Sequence, residues 1–190
     1  MVTSILIVGV GGQGTIFASK ILTEGLIKRG YDVKMSEIHG MSQRGGPVSS
    51  QIRFGEEVQS PVIELGSADL IVSFEKVEAM RWLKYLKNDG KVVLNDYEIG
   101  SIPVLAGKIK YTTDIIDEIS SKADTIVIDA EQYCVELGNP RAMNMVLLGA
   151  TIKFLDLEDI DWEEIIKTNT KKEFVEVNIK AFKKGIDLAE

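Results

Sequence analysis

Cysteine and histidine occur once each in these 190 residues, and proline only four times. The single thiol, Cys134, forbids an internal disulfide and leaves no thiolate set on this chain for zinc or an iron–sulfur cluster. Cations are also short: 22 Lys and Arg against 29 Asp and Glu give a net charge of -7. That balance argues against nucleic acid as a partner, because such binding runs on clustered Lys and Arg. No apolar run approaches the roughly 18 residues of a membrane span. No basic residue precedes the first apolar stretch, which is therefore expected to be a strand rather than a secretion signal. A cytoplasmic location is the expectation. There is no P-loop lysine, no metal-ligand cluster and no defensible Ser–His–Asp spacing, so no residue is assigned a catalytic or metal-binding role. What is left is 45% hydrophobic and 27% charged, ordinary for one soluble domain able to bury a core.

The stretch Ile5 to Thr15, ILIVGVGGQGT, is the most informative. An apolar run ends in a GxGxxG turn, and helical spacing of Ile16, Phe17, Ile21, Leu22 and Leu26 follows. Gly9 is expected to make the tight turn, Gly11 to let backbone approach a ligand, and Gly14 to let helix and strand pack. With Gly12, Gln13 and Thr15 they form a candidate phosphate- or anion-binding loop at a helix N-terminus. The competing reading is a packing turn with no ligand. Lys28-Arg29-Gly30 ends the helix. Tyr31 to Ser36 reads as a second strand, with Glu37 placed as a dinucleotide fold places its ribose-binding acid.

Residues Glu37 to Pro47, EIHGMSQRGGP, do not continue as an ordinary crossover helix, because three glycines and a proline bar one. The stretch gathers His39, Ser42, Gln43, Arg44, Gly45 and Gly46, the composition of a functional loop. A surface loop with Arg44 paired to a carboxylate is the alternative, and His39 alone suits a hydrogen-bonding role better than acid–base catalysis. Val48 to Phe54 then reads as a strand, placing Val48, Ser50, Ile52 and Phe54 on one side and running antiparallel to its neighbours.

Ala68 to Phe74 is a near-continuous apolar run typical of a central parallel strand, ended by Glu75. Val77 to Leu86 has helical spacing, with Asn88-Asp89-Gly90 as its stop. Lys91 to Leu94 and Thr125 to Ile128 are further strands, and residues 102–111 are expected to be a connector with one extended piece. Asn139-Pro140 starts a helix whose residues Met143 to Leu155 are apolar almost all round and so buried. Its Asn144 needs partners, more simply in a neighbouring loop than in a ligand. The expected fold is a doubly wound α/β domain with a mostly parallel, Rossmann-like sheet (residues 1–157), and C-terminal amphipathic helices (158–190) packed on it. In such a sheet the candidate loops, Glu75 and Asn95-Asp96 share the carboxyl edge, where ligands bind.

GVGGQG together with SEIHGMSQRGGPVSSQIRFG (Ser36 to Gly55) resembles the gamma subunits or domains of 2-oxoacid:ferredoxin oxidoreductases. Within that family the chain is most similar to beta subunits of indolepyruvate ferredoxin oxidoreductases. Ser60-Pro61, ADLIVSFEKVEAMR (Ala68 to Arg81) and NPRAMNMVLLGA (Asn139 to Ala150) extend the resemblance over roughly Ile5 to Leu155. It implies a non-redox subunit of a heteromer that oxidatively decarboxylates a 2-oxoacid with coenzyme A, giving acyl-CoA, carbon dioxide and reduced ferredoxin. Thiamine diphosphate and iron–sulfur clusters would sit on a larger partner subunit, ferredoxin would be reached through the complex, and this chain would help close the active site. By position, Gly11 to Thr15 and His39 to Gly46 would face substrate or coenzyme A, with Arg44 contacting a carboxylate or phosphate. Two alternatives stand: an autonomous NAD- or FAD-dependent oxidoreductase using Glu37 on a ribose, and a non-enzymatic interaction module.

Overall fold

The computed structural model describes residues 2–40 and 45–189, and for residue 102 the backbone alone. Strand β1 (Val2–Val10) leads into helix α1 (Thr15–Lys28), then the strand pair β2 (Asp32–His39) and β3 (Pro47–Gly55). Next come β4 (Ala68–Ser73), α2 (Lys76–Trp82), β5 (Leu86–Asn95), the short α3 (Ile102–Leu105), α4 (Ile115–Ser120) and β6 (Asp124–Ile128). The chain ends in α5 (Ala130–Glu136), α6 (Met143–Phe154), α7 (Trp162–Asn169) and α8 (Val175–Leu188). The six strands form one sheet in the order β2-β3-β1-β4-β5-β6. Only β3 runs against the others, antiparallel to both β1 and β2, while β1, β4, β5 and β6 pair in parallel. The expected mostly parallel α/β sheet is therefore present, with β3 antiparallel as its preceding loop demanded.

The period-two geometry of β1 splits the core in two. Ile5 and Ile7 join α1, α6, α7 and α8 in the larger cluster, whereas Leu6 and Val8 face Ile71, Ala79, Leu94, Ile115 and Ile119 under α2 and α4. Of the β3 side chains expected together, Ile52 and Phe54 enter the larger cluster. Gln51 points elsewhere and accepts from the Ile63 N–H at 2.6 Å.

Two stretches depart from expectation. Helix α2 stops at Trp82 and passes through a 3-10 turn, so β5 begins at Leu86 and contains Asn88-Asp89-Gly90. The ladder jumps from Ala68–Leu86 to Leu70–Lys91, and a methyl on Gly90 would lie 2.7 Å from Leu86 Cδ1 and 3.0 Å from the Ala68 oxygen. The glycine thus marks a strand irregularity with close backbone approach, not a helix stop. Within 102–111, the expected extended piece is replaced by α3, whose Pro103 sits in the first turn where its missing N–H is harmless.

Helix α6 is buried over Asn144 to Ile152, as its all-round apolar pattern demands. Helix α8 crosses it backbone to backbone: a methyl on Gly149 would lie 2.0 Å from the Phe182 oxygen, and one on Gly185 1.9 Å from the Val146 oxygen. No helix among the described residues is long and apolar enough to cross a membrane. Gly149→Ala is expected to destabilise the chain by about 3 kcal/mol through overpacking. That corresponds to a melting temperature roughly 6–12 °C lower; an unchanged melting curve would contradict the close crossing.

Candidate functional site

The turn after β1 is built by Gly12 and Gly14, whose φ angles of 109° and 84° lie in the left-handed region. Gly9, expected to make this turn, is instead a strand residue opposite Val48. A methyl there would meet Gln13 Oε1 at 2.8 Å and Phe74 Cβ at 2.9 Å. Gly14 packs not on a strand but on α6, where a methyl would lie 2.5 Å from Asn144 Nδ2. Asn144 Nδ2 donates to the Gly14 carbonyl at 3.4 Å, the loop contact expected of this buried amide.

Gln13 closes the turn from inside. Its Oε1 accepts from the Val10 N–H at 2.7 Å and its Nε2 donates to the Phe74 carbonyl at 2.8 Å. The same carbonyl accepts from Asn95 Nδ2 at 3.2 Å, and Asn95 Oδ1 accepts from the Ala130 N–H at 3.1 Å. The ends of β1, β4 and β5 and the start of α5 are thereby tied in one buried network. Asn95 and Gln13 are structural ties, and Asp96 is an ion-pair partner of Lys76 at 2.8 Å.

The glycine loop and the second motif are stitched together. Gly11 N–H donates to the Gly46 carbonyl at 2.8 Å, and Gly45 N–H donates to the Gly11 carbonyl at 3.1 Å. Gly11 is therefore engaged in backbone pairing that carries the β1–β3 ladder past Val10 and Pro47. The first N–H groups of α1 have no side-chain cap, which leaves them open at the helix end where an anionic group is favoured.

In front of that helix end lies a cavity of about 540 Å³. The glycine loop forms its floor, Ile16, Phe17 and Val48 its apolar walls, and Lys20, Glu37 and His39 its charged and polar rim. His39 Nδ1 is 3.2 Å from the Gly40 carbonyl. Glu37 is exposed on an edge strand, and β3 separates β2 from β1. Its carboxylate hence stands about one strand spacing, ~5 Å, beyond where an adjacent second strand would put a ribose-binding acid. Ser42, Gln43 and Arg44 lie outside the described residues. Lys20 was not singled out from sequence, although its place one helical turn after Ile16 puts it on the face that carries the loop.

On the far side of β1, Glu75 is buried at the end of β4 and caps α2, accepting from the Glu78 N–H at 2.9 Å. It also accepts from the Ile99 N–H at 3.3 Å and from the Tyr111 hydroxyl. Burial, and then that bond, raise the Tyr111 phenol well above its ordinary range. Glu78 pairs with Arg81 at 2.5 Å through one oxygen, while its buried second oxygen has no hydrogen-bond partner among the described residues. Burial raises the Glu78 carboxyl, and the neighbouring Glu75 charge adds to it, against the opposing effect of Arg81. Cys134 is buried in the core, which pushes its thiol up to about 11.

The sequence pattern of the pyruvate ferredoxin/flavodoxin oxidoreductase family matches residues 4–188. The chain belongs to this family. A family relative, indolepyruvate oxidoreductase subunit IorB of Thermococcus kodakarensis, is 36% identical over 195 residues, covering 98% of this chain and 96% of the relative. Two solved structures share the fold. The gamma subunit of a keto/oxoacid ferredoxin oxidoreductase from Geobacter sulfurreducens superposes with a TM-score of 0.72 at 22% identity, over 98% of each chain. The 2-oxoglutarate:ferredoxin oxidoreductase of Magnetococcus marinus, solved with 2-oxoglutarate, coenzyme A and succinyl-CoA bound, gives 0.77 at 22% identity. That match covers 99% of this chain and 31% of the longer one.

Gln13→Ala leaves the buried Val10 N–H without its acceptor, and urea unfolding should register a loss of about 1–3 kcal/mol. A change within experimental error would contradict the clamp. Glu78 gives a pH-dependent test. The folded carboxyl holds its proton more tightly than the unfolded one, so stability falls as pH rises from the usual 4.5 through the raised folded value. Glu78→Gln should therefore melt higher than the parent at neutral pH, with the gap closing on acidification toward that usual value. A gap that widens on acidification would contradict the assignment.

Proposed function

We propose that this chain is the non-redox small subunit of a thiamine diphosphate-dependent 2-oxoacid:ferredoxin oxidoreductase acting on indolepyruvate or a related arylpyruvate in the cytoplasm. The observation that carries the reading is the backbone pairing of Gly11 with Gly45 and Gly46. It joins the two motifs that mark the family beside one cavity at the sheet's carboxyl edge. Similarity to an indolepyruvate oxidoreductase subunit over nearly its whole length supports the substrate class.

In this reaction a 2-oxoacid anion and the coenzyme A thiol become acyl-CoA and carbon dioxide, leaving one proton and two electrons that pass to ferredoxin. Thiamine diphosphate and iron–sulfur clusters on the larger partner subunit supply the carbon–carbon cleavage and the electron path. The role of this chain is to bind, orient and exclude water. The uncapped start of α1 and Lys20 hold an anionic group of coenzyme A, and Ile16, Phe17 and Val48 cover its apolar arm. His39 offers a hydrogen bond at the rim, and Arg44, five residues further along the sequence, grips a substrate carboxylate or a coenzyme A phosphate through its fork. Closing this face over the partner's reacting centre strengthens every electrostatic contact inside.

In the reconstituted heteromer, Lys20→Ala is expected to raise KM for coenzyme A roughly tenfold with kcat little changed, the signature of one lost anion contact worth about 1.4 kcal/mol. Arg44→Ala is expected to lower turnover by at least tenfold. An unchanged KM for coenzyme A in the first variant together with full turnover in the second would favour an interaction module whose glycine loop only packs.

A further inference from the structure

A second cavity, of about 320 Å³, lies at the same sheet edge but on the face that carries α2. Successive strand residues point to opposite faces. Val48 accordingly lines the glycine-loop cavity, while its neighbour Pro47, paired with Val10, lines this one. Val77 of α2 and Ile99, Val104 and Ile109 from the segment between β5 and α4 complete an aliphatic lining. Glu75 fixes that segment near both of its ends, its buried carboxylate accepting from the Ile99 N–H and the Tyr111 hydroxyl. The cavity is therefore bounded by elements tied to the sheet.

Glu78 also lines this cavity and is only 5% exposed. One of its oxygens is taken by Arg81 Nη1, but the buried Oε2 has no hydrogen-bond partner among the described residues. The Trp82 indole N–H, one turn further along α2, approaches without meeting hydrogen-bond geometry, and it too is left unpartnered. A buried carboxylate oxygen left open at a cavity wall asks for a donor from an occupant. The aliphatic lining asks that the rest of the occupant be apolar. Lys110 also lines the cavity, is exposed, and forms no ion pair among the described residues, so an acidic tail is favoured there. An apolar ring with one N–H or O–H donor and an acidic tail meets all three demands, and the volume is that of a small-ligand site.

We infer that this cavity is the aryl subsite for the 2-oxoacid, with the ring among Val10, Val77, Ile99 and Ile109 and its donor on Glu78 Oε2. The inference rests on the reading of this chain as the small subunit of an arylpyruvate-oxidising heteromer, and makes Glu78 a specificity-determining residue of that reaction. The 2-oxoacid end leaves the cavity beside Lys110, toward the partner's reacting centre. A site with a buried acceptor rejects a ring that lacks the donor, because the acceptor then stays unpaired.

The test is calorimetric titration of the full chain with indole-3-propionate, an aryl acid that keeps the ring N–H but lacks the reactive carbonyl. Its partner probe is benzothiophene-3-propionate, of nearly the same shape, in which sulfur replaces the N–H. The parent chain is expected to bind the indole acid at least tenfold more tightly than the sulfur analogue, and Glu78→Gln to reduce that preference to within twofold. Glutamine keeps an oxygen for Arg81 and turns an NH2 toward the cavity in place of the open acceptor. Glu98→Gln, which removes a carboxylate from Lys76 outside the cavity, is expected to keep the tenfold preference. Parallel melting curves verify that both variants fold. No binding of the indole acid at millimolar concentration, equal binding of the two acids by the parent, or an undiminished preference in Glu78→Gln would each overturn the proposal. Failure here leaves the coenzyme A response of Lys20→Ala in the heteromer untouched, and the titration needs neither partner nor coenzyme A, so the two readings fail separately.

Discussion

The carbonyl of Phe74 is the point on which the working edge of this molecule hangs. It accepts from the side-chain amides of Gln13 and Asn95, whose own oxygens accept from Val10 and Ala130. Parallel strands end in peptide groups with no partner, and at a buried edge those groups must be satisfied. Two amide side chains meet that demand across β1, β4, β5 and α5. The network is fully paired, which is the condition under which buried polar groups fix a single arrangement.

What the network fixes is the glycine turn, and the turn fixes the rest of the site. With Gln13 locked inward, Gly11 is set to continue the antiparallel ladder to Gly45 and Gly46. His39 and Pro47, at the facing ends of β2 and β3, are then held beside the start of α1. Glycine at 12 and 14 is required by backbone angle, and at 9 and 14 by contact as well. The uncapped start of α1 is thus presented by a rigid scaffold, not by a free loop.

The fold class, the carboxyl edge and the antiparallel β3 could be read from hydrophobic period and from the loop that forbids a crossover helix. Other features could not, for physical reasons. Gln13 in a glycine turn looks like a ligand contact until the strand ends that it bridges are adjacent in space, and one of them lies 61 residues away. Gly90 mimics a helix stop because a glycine forced by close approach and one forced by backbone angle are the same letter. Lys20 was hidden in a helix pattern, and its bearing on the cavity depends on how α1 faces β2 and β3. Asn144 was readable as a buried amide needing partners, and the Gly14 carbonyl supplies one. Glu37 sits at the expected distance in sequence but on a strand displaced by β3, so spacing alone placed it well and topology moved it.

The most direct test of the account is to purify the tagged chain from its native cell and identify what accompanies it. The account predicts a stoichiometric larger subunit carrying thiamine diphosphate and iron–sulfur absorbance, with coenzyme A-dependent reduction of ferredoxin by indolepyruvate. A chain that emerges alone and stable, with a bound dinucleotide and its own hydride-transfer activity, would contradict it.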